Sequence, residues 1–209
     1  TDIGPQTLKN IATPVSVLTW SPAPATAPTG EPRTERFKKA SIVVLAFDNM
    51  SGDPEQEFFS DGISEDIITE LSHFREFFVI ARNTSFTYKG TPVRTQDVCA
   101  DLGVRYLLEG SVRKSGNRVR VTAQLIEGAT GAHIWAGRFD RDLDDIFAVQ
   151  DEITQSIVAA VAPEAMNAET HRSRNKAETE TNAWEKMLLG RWHIGRMNED
   201  SIAKAQAFA

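Results

Sequence analysis

Runs of hydrophobic positions alternate with polar segments along the chain, and their periods predict strands and helices in turn. Five short runs, apolar or alternating, have the length and β-branched content of strands: 41–47, 77–81, 105–112, 119–126 and 133–139. Apolar residues recur at helical spacing from Ile63 to Phe74 and again within 144–161. A third, shorter helix follows Pro92, with three apolar positions expected to face inward and a glycine as C-cap: Val93, Val98, Leu102 and Gly103.

These elements follow one another in the order β-α-β-α-β-β-β-α over residues 40–165. The two crossovers imply parallel strand pairs, and the three closing strands imply an antiparallel meander. The expected fold class is α+β (mixed α/β), with a five-stranded mixed sheet covered by helices. Because the last three strands alternate polar and apolar residues, one face at that end of the sheet is expected to be solvated.

Two helix starts are indicated between the first two strands. Asp53 followed by Pro54 is typical of an N-cap and a first helical residue. Ser64 followed by two acidic residues indicates a second start, because the helix dipole favours negative charge in the first turn.

The two ends of the chain have patterns of their own. Residues 1–20 predict a strand, a turn and a strand, with LKNI at 8–11 in the first strand and Val15 and Val17 in the second. Two strands cannot bury a core alone, so we expect the trailing edge of a domain whose body lies upstream. Residues 21–39, rich in proline and alanine, predict an extended linker.

The polar, mixed-charge segment 166–182 is either a solvated connector or an extension of the preceding helix. Residues 183–209 again have helical character, and we expect them to begin a partial helical repeat.

Composition narrows the functional classes. The chain of 209 residues has a net charge of −6, so it has no electrostatic reason to bind nucleic acid or an anionic membrane. Its apolar runs fall far short of the ~20 residues that a membrane helix requires. Cys99 is the single cysteine, which excludes an internal disulfide and is compatible with a reducing, cytoplasmic location.

Acidic residues gather around the first strand-to-helix connection: Asp48, Asp53, Asp61, Glu65 and Asp66. Ligands often bind at the carboxyl ends of parallel strands, so a metal or polar ligand is one interpretation. Helix capping and dipole complementarity is the other, and we favour it. No catalytic, cofactor-binding or metal-binding residue is therefore assigned.

The remaining candidate residues favour structural roles. The histidines, His73, His133, His171 and His193, show no ligand spacing, and Cys99 has no neighbouring base, which favours a buried structural thiol. A basic set on the third and fourth strands would suit an acidic partner or, as we favour, cross-strand pairing with Glu109 and Glu127: Arg105, Arg113, Lys114, Arg118 and Arg120. Core or repeat packing is expected for the aromatic residues Trp135, Phe139, Phe147, Trp184 and Trp192.

Three segments resemble known families. Ile3-Gly4, Leu8 to Ile11 and Pro14-Val15 resemble the segment that closes the class III adenylate/guanylate cyclase catalytic domain, although Thr19-Trp20 stands where that family has Tyr-Arg. About 125 residues, from SIVVLAFDNMSGDPEQEFFSDGISEDI to DDIFAVQDEI, resemble the TolB amino-terminal-domain-like module of bacterial multidomain regulators. Leu189-Gly190, with His193 and Phe208, resembles a divergent first tetratricopeptide repeat.

These resemblances imply an organisation and a function. The expected parts are the end of a cyclase domain (1–20), a linker (21–39), a TolB-like module (40–165), a connector (166–182) and truncated tetratricopeptide repeats (183–209). The chain is then expected to be a fragment of a bacterial, cytoplasmic adenylate cyclase that holds its non-catalytic regulatory and protein-interaction module. The resemblance implies Mg²⁺ or Mn²⁺ with ATP for the parent, no cofactor in the fragment, and protein partners through the repeats or a homodimer.

Two other functional classes stay open. The parent would instead be a transcriptional regulator if a winged-helix domain preceded the module. A small-ligand sensor is the third class, for which the sequence provides no constellation of pocket-lining residues.

Overall fold

The computed structural model describes the backbone of residues 2–6, 15–18 and 39–195. The chain divides into two units, Thr1–Glu31 and Pro32–Ala209. In the first, strands β1 (Asp2–Gln6) and β2 (Val15–Leu18) pair antiparallel, with Gln6 opposite Val15. The predicted second strand is confirmed by β2, whereas the predicted strand at 8–11 lies outside the described residues.

The second unit contains a mixed sheet. Its strands are β3 (Ala40–Val44), β4 (Asp48–Asn49), β5 (Phe77–Val79), β6 (Tyr106–Ser115), β7 (Arg118–Glu127) and β8 (His133–Asp142). The spatial order is β5-β3-β6-β7-β8, with β4 beside β6. Strand β3 runs parallel to β5 and β6, and β6, β7 and β8 form an antiparallel meander, as predicted.

Six strands are described here where the sequence predicts five. The first predicted strand, 41–47, is interrupted after Val44, and the chain resumes pairing with β6 at Asp48, opposite Ser111. The three residues between leave the strand path, and the ring of Phe47 is fully buried there. The two-residue strand β4 therefore continues the line of β3 along β6.

The helices of this unit are α1 (Glu57–Ser72), α2 (Arg82–Ser85), α3 (Thr95–Leu102), α4 (Ile146–Arg174) and α5 (Ala183–Gly195). A 3₁₀ turn, Pro54–Gln56, leads into α1, and the side chain of Asp53 caps it by accepting from the amide of Glu55 at 3.0 Å. The predicted N-cap at Asp53 is thus confirmed. Gly103 closes α3 with φ of 70°, as a left-handed C-cap, also as predicted.

The second predicted helix start, at Ser64, is wrong. Ser64 lies in the middle of α1, fully buried, and its hydroxyl donates to the carbonyl of Ser60 at 2.9 Å. The same hydroxyl accepts from the backbone amide of Phe47 at 2.9 Å. Ser64 therefore satisfies the amide of the interrupted strand, instead of capping a helix of its own.

Two hydrophobic clusters lie on opposite faces of the sheet. Helices α1 and α4 cover one face, which we call the helix face, and the larger cluster is there, with Tyr106 and Leu108 from β6. Helix α3 covers only part of the other, the open face, where Val98 and Cys99 pack on Leu107. The alternation along β6 accounts for this division, since successive side chains point to opposite faces. Val93, predicted to face inward, is 39% exposed and precedes α3.

Helix α4 is longer than its apolar pattern predicts. It begins at the N-cap Asp145, passes through Pro163 and ends at Arg174, so residues 166–174 of the predicted connector are helical. The buried positions on this helix include a row spaced by four: Ile153, Ile157, Val161, Ala165, Glu169 and Ser173. The row keeps one face of α4 against the sheet although its last members are polar. Helix α5 follows, and residues 196–209, with Phe208, lie outside the described part.

No helix within the described residues combines the length and the hydrophobicity needed to cross a bilayer.

Candidate functional site

A buried cluster of charged side chains joins the sheet to helices α4 and α5. We call it the Glu169 junction, and its members are Arg105, Tyr106, Glu169, Arg172 and Glu185. The side chain of Glu169 is fully buried, and its Oε1 accepts from the hydroxyl of Tyr106 at 2.9 Å. Its Oε2 accepts from Nη1 of Arg105 and from Nη2 of Arg172, both at 2.9 Å. One carboxylate on α4 thus binds the first residue of β6, the residue before that strand and a second residue of α4.

The second half of the junction lies at the start of α5. Oε1 of Glu185, also fully buried, accepts from Nη2 of Arg172 at 3.3 Å and from Nζ of Lys176 at 3.0 Å. Its Oε2 accepts from the amide of Asn182 at 3.0 Å, while Oδ1 of Asn182 accepts from the amide of Glu185 at 3.0 Å. This reciprocal pattern is a capping box, so the first turn of α5 is held by the same residues that bind α4.

The pKa shifts in the junction show that its charges stabilise one another. Burial lowers the pKa of Arg172, but Glu169 and Glu185 outweigh burial and raise it above its ordinary value. Burial raises the pKa of Glu185, and the hydrogen bonds from Asn182 and Lys176 outweigh it and lower that pKa. Burial, together with Glu169, raises the pKa of Tyr106, which therefore remains a neutral donor.

The junction has the character of a structural joint. Taking charges out of water costs several kcal/mol per ion, and close pairing with additional hydrogen bonds offsets that cost. Displacing one partner would weaken the compensation of a buried charge, so the network favours the observed geometry. The orientation of α5 relative to the sheet is therefore fixed by specific bonds in addition to apolar packing.

The acidic residues highlighted in the sequence are dispersed around α1. Asp53 is a cap, Asp61 pairs with Lys89 at 2.6 Å, and Glu65 pairs with Arg82 at 2.9 Å. Asp66 accepts from Nε2 of Gln150 on α4. Among the described residues, no group of three His, Cys, Asp or Glu side chains is placed to hold a metal ion. Of the favoured interpretation, capping and dipole complementarity, only the cap at Asp53 is confirmed, because Asp61, Glu65 and Asp66 lie within α1 and bind side chains of neighbouring elements instead. Asp48 lies outside α1, on β4.

The predicted partners of the basic residues are wrong. Arg120 lies opposite Arg113 on β6, as expected, but its guanidinium pairs with Asp140 at 2.7 Å, not with Glu109 or Glu127. The antiparallel register brings Asp140 of β8 directly opposite Arg120 on β7. This partner depends on the register between β7 and β8, which no pattern in the sequence indicates.

Arg105 also departs from the expected cross-strand pairing, since its ion pair is with Glu169 on α4. Cys99, by contrast, is buried and free, and burial raises the pKa of its thiol to about 12. The expected structural thiol is therefore confirmed.

The aromatic residues divide into packed and exposed groups. Trp135, Phe139 and Trp184 are partly buried against the larger core cluster. Phe147, expected to pack, is 74% exposed in the first turn of α4. The ring of Trp192 lies 4.2 Å from the guanidinium carbon of Arg174, which links α5 to the end of α4.

Glu169 and Glu185 are not among the candidate residues predicted from the sequence. Asn182 with Glu185 three residues later, just before an apolar run, is a capping-box signal that was available. Glu169 continues the four-residue spacing of the buried face of α4, which was a weaker signal. The contact with Tyr106 spans 63 residues of sequence, and no local pattern indicates it.

Comparison with known proteins gives matches in structure and in sequence. No protein-family model matches the chain. Similar solved structures include lipoprotein GNA1162 from Neisseria meningitidis (18% identity, 59% of this chain, 99% of that one, TM-score 0.45). TolB from Acinetobacter baumannii is another (14% identity, 59% of this chain, 28% of that one, TM-score 0.41).

A curated protein of Rhizobium meliloti (strain 1021), named "Putative adenylate cyclase 3", is 48% identical over 209 residues. The match covers 98% of this chain and 36% of the relative. The chain therefore spans about a third of the length of the curated relative that it matches.

Proposed function

We propose that this chain is part of a bacterial adenylate cyclase, in which it provides a non-catalytic module for regulation and protein interaction. The observation that carries the proposal is the 48% identity with a protein named as an adenylate cyclase, over 98% of this chain. The match to only 36% of that relative agrees with a fragment. The parent would act in the cytoplasm on ATP with Mg²⁺ or Mn²⁺, and these details rest on the resemblance of residues 1–20 alone.

The Glu169 junction supports a coupling role. It bonds β6 to α4 through Glu169, and α4 to α5 through Arg172 and Glu185. A partner that moved α5 would therefore act on the sheet through directional bonds. The proposed tetratricopeptide repeats would begin at α5, so the junction would connect their partners to the rest of the protein.

The acidic residues around α1 support a non-catalytic role for the described part. A cyclase holds its metal ions with carboxylates, which must be free to coordinate them. Asp61, Glu65 and Asp66 each bind a side chain of a neighbouring element instead.

The test is cyclic-nucleotide production by the full-length parent, with residues 40–209 present or deleted. We expect the parent to convert ATP to cyclic AMP, and the deletion to change the rate or the dimerisation. Arg172→Gln in the full-length protein should change the same quantity, because it breaks the link between Glu169 and Glu185. The matched control is Arg191→Gln, which removes an exposed pair with Glu76 at 3.5 Å.

A parent that makes no cyclic nucleotide would overturn the proposal. The module would then belong with the transcriptional regulators, and specific DNA binding by the upstream domain would establish that alternative. If the parent is a cyclase but neither the deletion nor Arg172→Gln changes its rate or its dimerisation, the regulatory role is refuted and the cyclase assignment stands.

A further inference from the structure

A polar cleft lies on the open face of the sheet, beyond the part that α3 covers. Helix α3 packs on Leu107 and Ile126, but Glu109, Ser111 and Gln124 lie outside its cluster. These residues form the floor of a cavity of about 530 Å³. That volume is within the range usual for small-molecule sites, roughly 300–1,000 Å³. We call this cavity the open-face cleft.

The floor consists of two cross-strand pairs. Glu109 on β6 lies directly opposite Gln124 on β7, and Ser111 lies opposite Thr122, with their hydroxyls 2.8 Å apart. Asp48 lies opposite Ser111 on its other side, since β4 runs parallel to β6 there. The acidic and amide side chains are thus presented side by side at the carboxyl end of β3, where parallel sheets commonly bind ligands.

The wall of the open-face cleft is the segment from Tyr88 to Thr95, and it is held in place by its own contacts. The hydroxyl of Tyr88 donates to Asp101 at 2.6 Å. The ammonium group of Lys89 pairs with Asp61 at 2.6 Å and with Glu57 at 2.5 Å. Burial lowers the pKa of Lys89, but the two carboxylates outweigh burial and raise it, so this ammonium is charged and already neutralised by its partners.

The charge that remains in the open-face cleft is negative. Within the described part of the chain, the carboxylates of Asp48 and Glu109 line the cavity and make no ion pair or side-chain hydrogen bond. Burial raises the pKa of Glu109, and Asp48 raises it further, while His133 opposes them. The acidic side chains along α1 have partners. Asp48 and the half-buried Glu109 differ from them, because neither makes an ion pair with a described residue.

The lining also contains apolar surface. Leu45, Ala46, Met50, Pro92 and Val93 contribute to the walls. A ligand with a hydrocarbon stem and a charged head would match both kinds of surface. A bare metal ion matches less well, because no three metal-ligating side chains converge among the described residues.

We propose that the open-face cleft binds a small organic cation with an ammonium or guanidinium head, which pairs with Glu109 and Asp48. A guanidinium group offers several donors in a planar fork that fits a carboxylate, and Gln124 and the two hydroxyls provide further acceptors. The hydrocarbon part would lie along the apolar wall. This site does not depend on the proposed cyclase function, because its evidence is the cavity and its charges.

The test uses agmatine, which carries a guanidinium and an ammonium group at the ends of a four-carbon stem. Its binding to the 209-residue chain is measured by titration calorimetry at neutral pH and low salt. N-butylurea serves as the uncharged analogue, and succinate as the anionic one. We expect saturable binding of agmatine, with both analogues weaker by about tenfold or more, a difference of about 1.4 kcal/mol or more.

Variants locate the site. Glu109→Gln and Asp48→Asn keep side-chain size and remove charge, and each should weaken agmatine binding by about tenfold. The matched control is Glu164→Gln on α4, away from the cleft, which should leave affinity unchanged. Amide resonances of Thr122 and Gln124 should shift on titration.

The proposal is wrong if agmatine gives no saturable binding or binds no more tightly than N-butylurea. Equal affinities of Glu109→Gln and Glu164→Gln would also overturn it, and so would tighter binding of succinate.

Discussion

Glu109 is a side chain whose ionisation works against the stability of the fold. Burial and the neighbouring charge of Asp48 raise its pKa above the ordinary 4.5. A raised carboxyl pKa contributes stability that is present below the unfolded pKa and is lost as pH rises through the folded one. At neutral pH the ionised Glu109 is therefore costly, unless a cation neutralises it.

We predict that Glu109→Gln raises the free energy of unfolding of the free chain at pH 7. The gain should disappear near pH 4, where Glu109 is already protonated. Urea unfolding at the two pH values measures both quantities. A loss of stability at pH 7 would show that the carboxylate has a favourable partner, and would contradict the unpaired state described above.

The role of a polar residue can be predicted from sequence when its hydrogen-bond partner is a near neighbour in the chain, and not when the partner is distant. Asp53 was predictable as a cap because its partner, the amide of Glu55, lies two residues away. Ser64 looked the same in sequence, but its hydroxyl binds the amide of Phe47, which lies 17 residues away. A capping signal in sequence therefore identifies the residue type, and tertiary contacts decide its role.

At the scale of one element, the packing of strand β6 requires a glycine at position 110. A Cβ at Gly110 would collide with the ring of Phe47 and with the carbonyl oxygen of Thr122 on β7. Phe47 is fully buried, so it has no free space into which to move. The missing side chain allows the interrupted first strand to place this ring beneath β6.

We predict that Gly110→Ala lowers the free energy of unfolding by about 1–3 kcal/mol, the usual cost of overpacking. Gly195→Ala is the matched control, because a Cβ there meets no atom of the described residues within 4 Å. Alanine at that helical position should stabilise by up to about 1 kcal/mol. Chemical denaturation of the two variants compares them, and equal stabilities would contradict the packing described.

Element order and strand pairing followed from the periods of the sequence, but the extent of α4 did not. The buried row of α4 ends in Glu169 and Ser173, which polarity would assign to a solvated segment. Glu169 is buried because Arg105 and Tyr106 neutralise and bind it. Hydrophobic periodicity detects apolar faces, so it does not detect a helix face that ends in a buried ion pair.

At the scale of the whole molecule, the Glu169 junction joins β6, α4 and α5. We predict that Glu169→Ala lowers the free energy of unfolding by about 3–5 kcal/mol, because it removes the buried carboxylate that Arg105, Arg172 and the hydroxyl of Tyr106 share. The side chain of Arg105 is only 10% exposed, so water does little to replace the lost partner. Urea denaturation of the 209-residue chain measures the change.

The control for this prediction is Glu76→Ala, which removes the exposed pair with Arg191. It should cost less than about 1 kcal/mol, as surface ion pairs usually do. Similar losses for the two variants would contradict the assignment of Glu169 as the centre of the junction.

The two candidate sites were hidden from sequence analysis for different reasons. The junction combines residues that lie between positions 105 and 185, and only the packing of α4 and α5 in the folded chain brings them together. The open-face cleft exists because α3 has only eight residues and leaves part of the face uncovered. The alternation of polar and apolar residues along β6 and β7 predicted a solvated face, which is confirmed. No pattern in the sequence indicated that residues 88–95 would form a wall of the open-face cleft beside it.

The length of α4 has a mechanical consequence. With 29 residues at about 1.5 Å each, the helix is about 44 Å long. Its buried row runs from Ile153 to Ser173, and Glu169 near its far end is bonded to the start of β6, so the helix is tied to the sheet along its length. A tilt of about 5° would displace one end relative to the other by about 4 Å, more than the hydrogen bonds of the Glu169 junction could follow. The junction therefore acts as a brace, which holds α4 and α5 at one angle to the sheet.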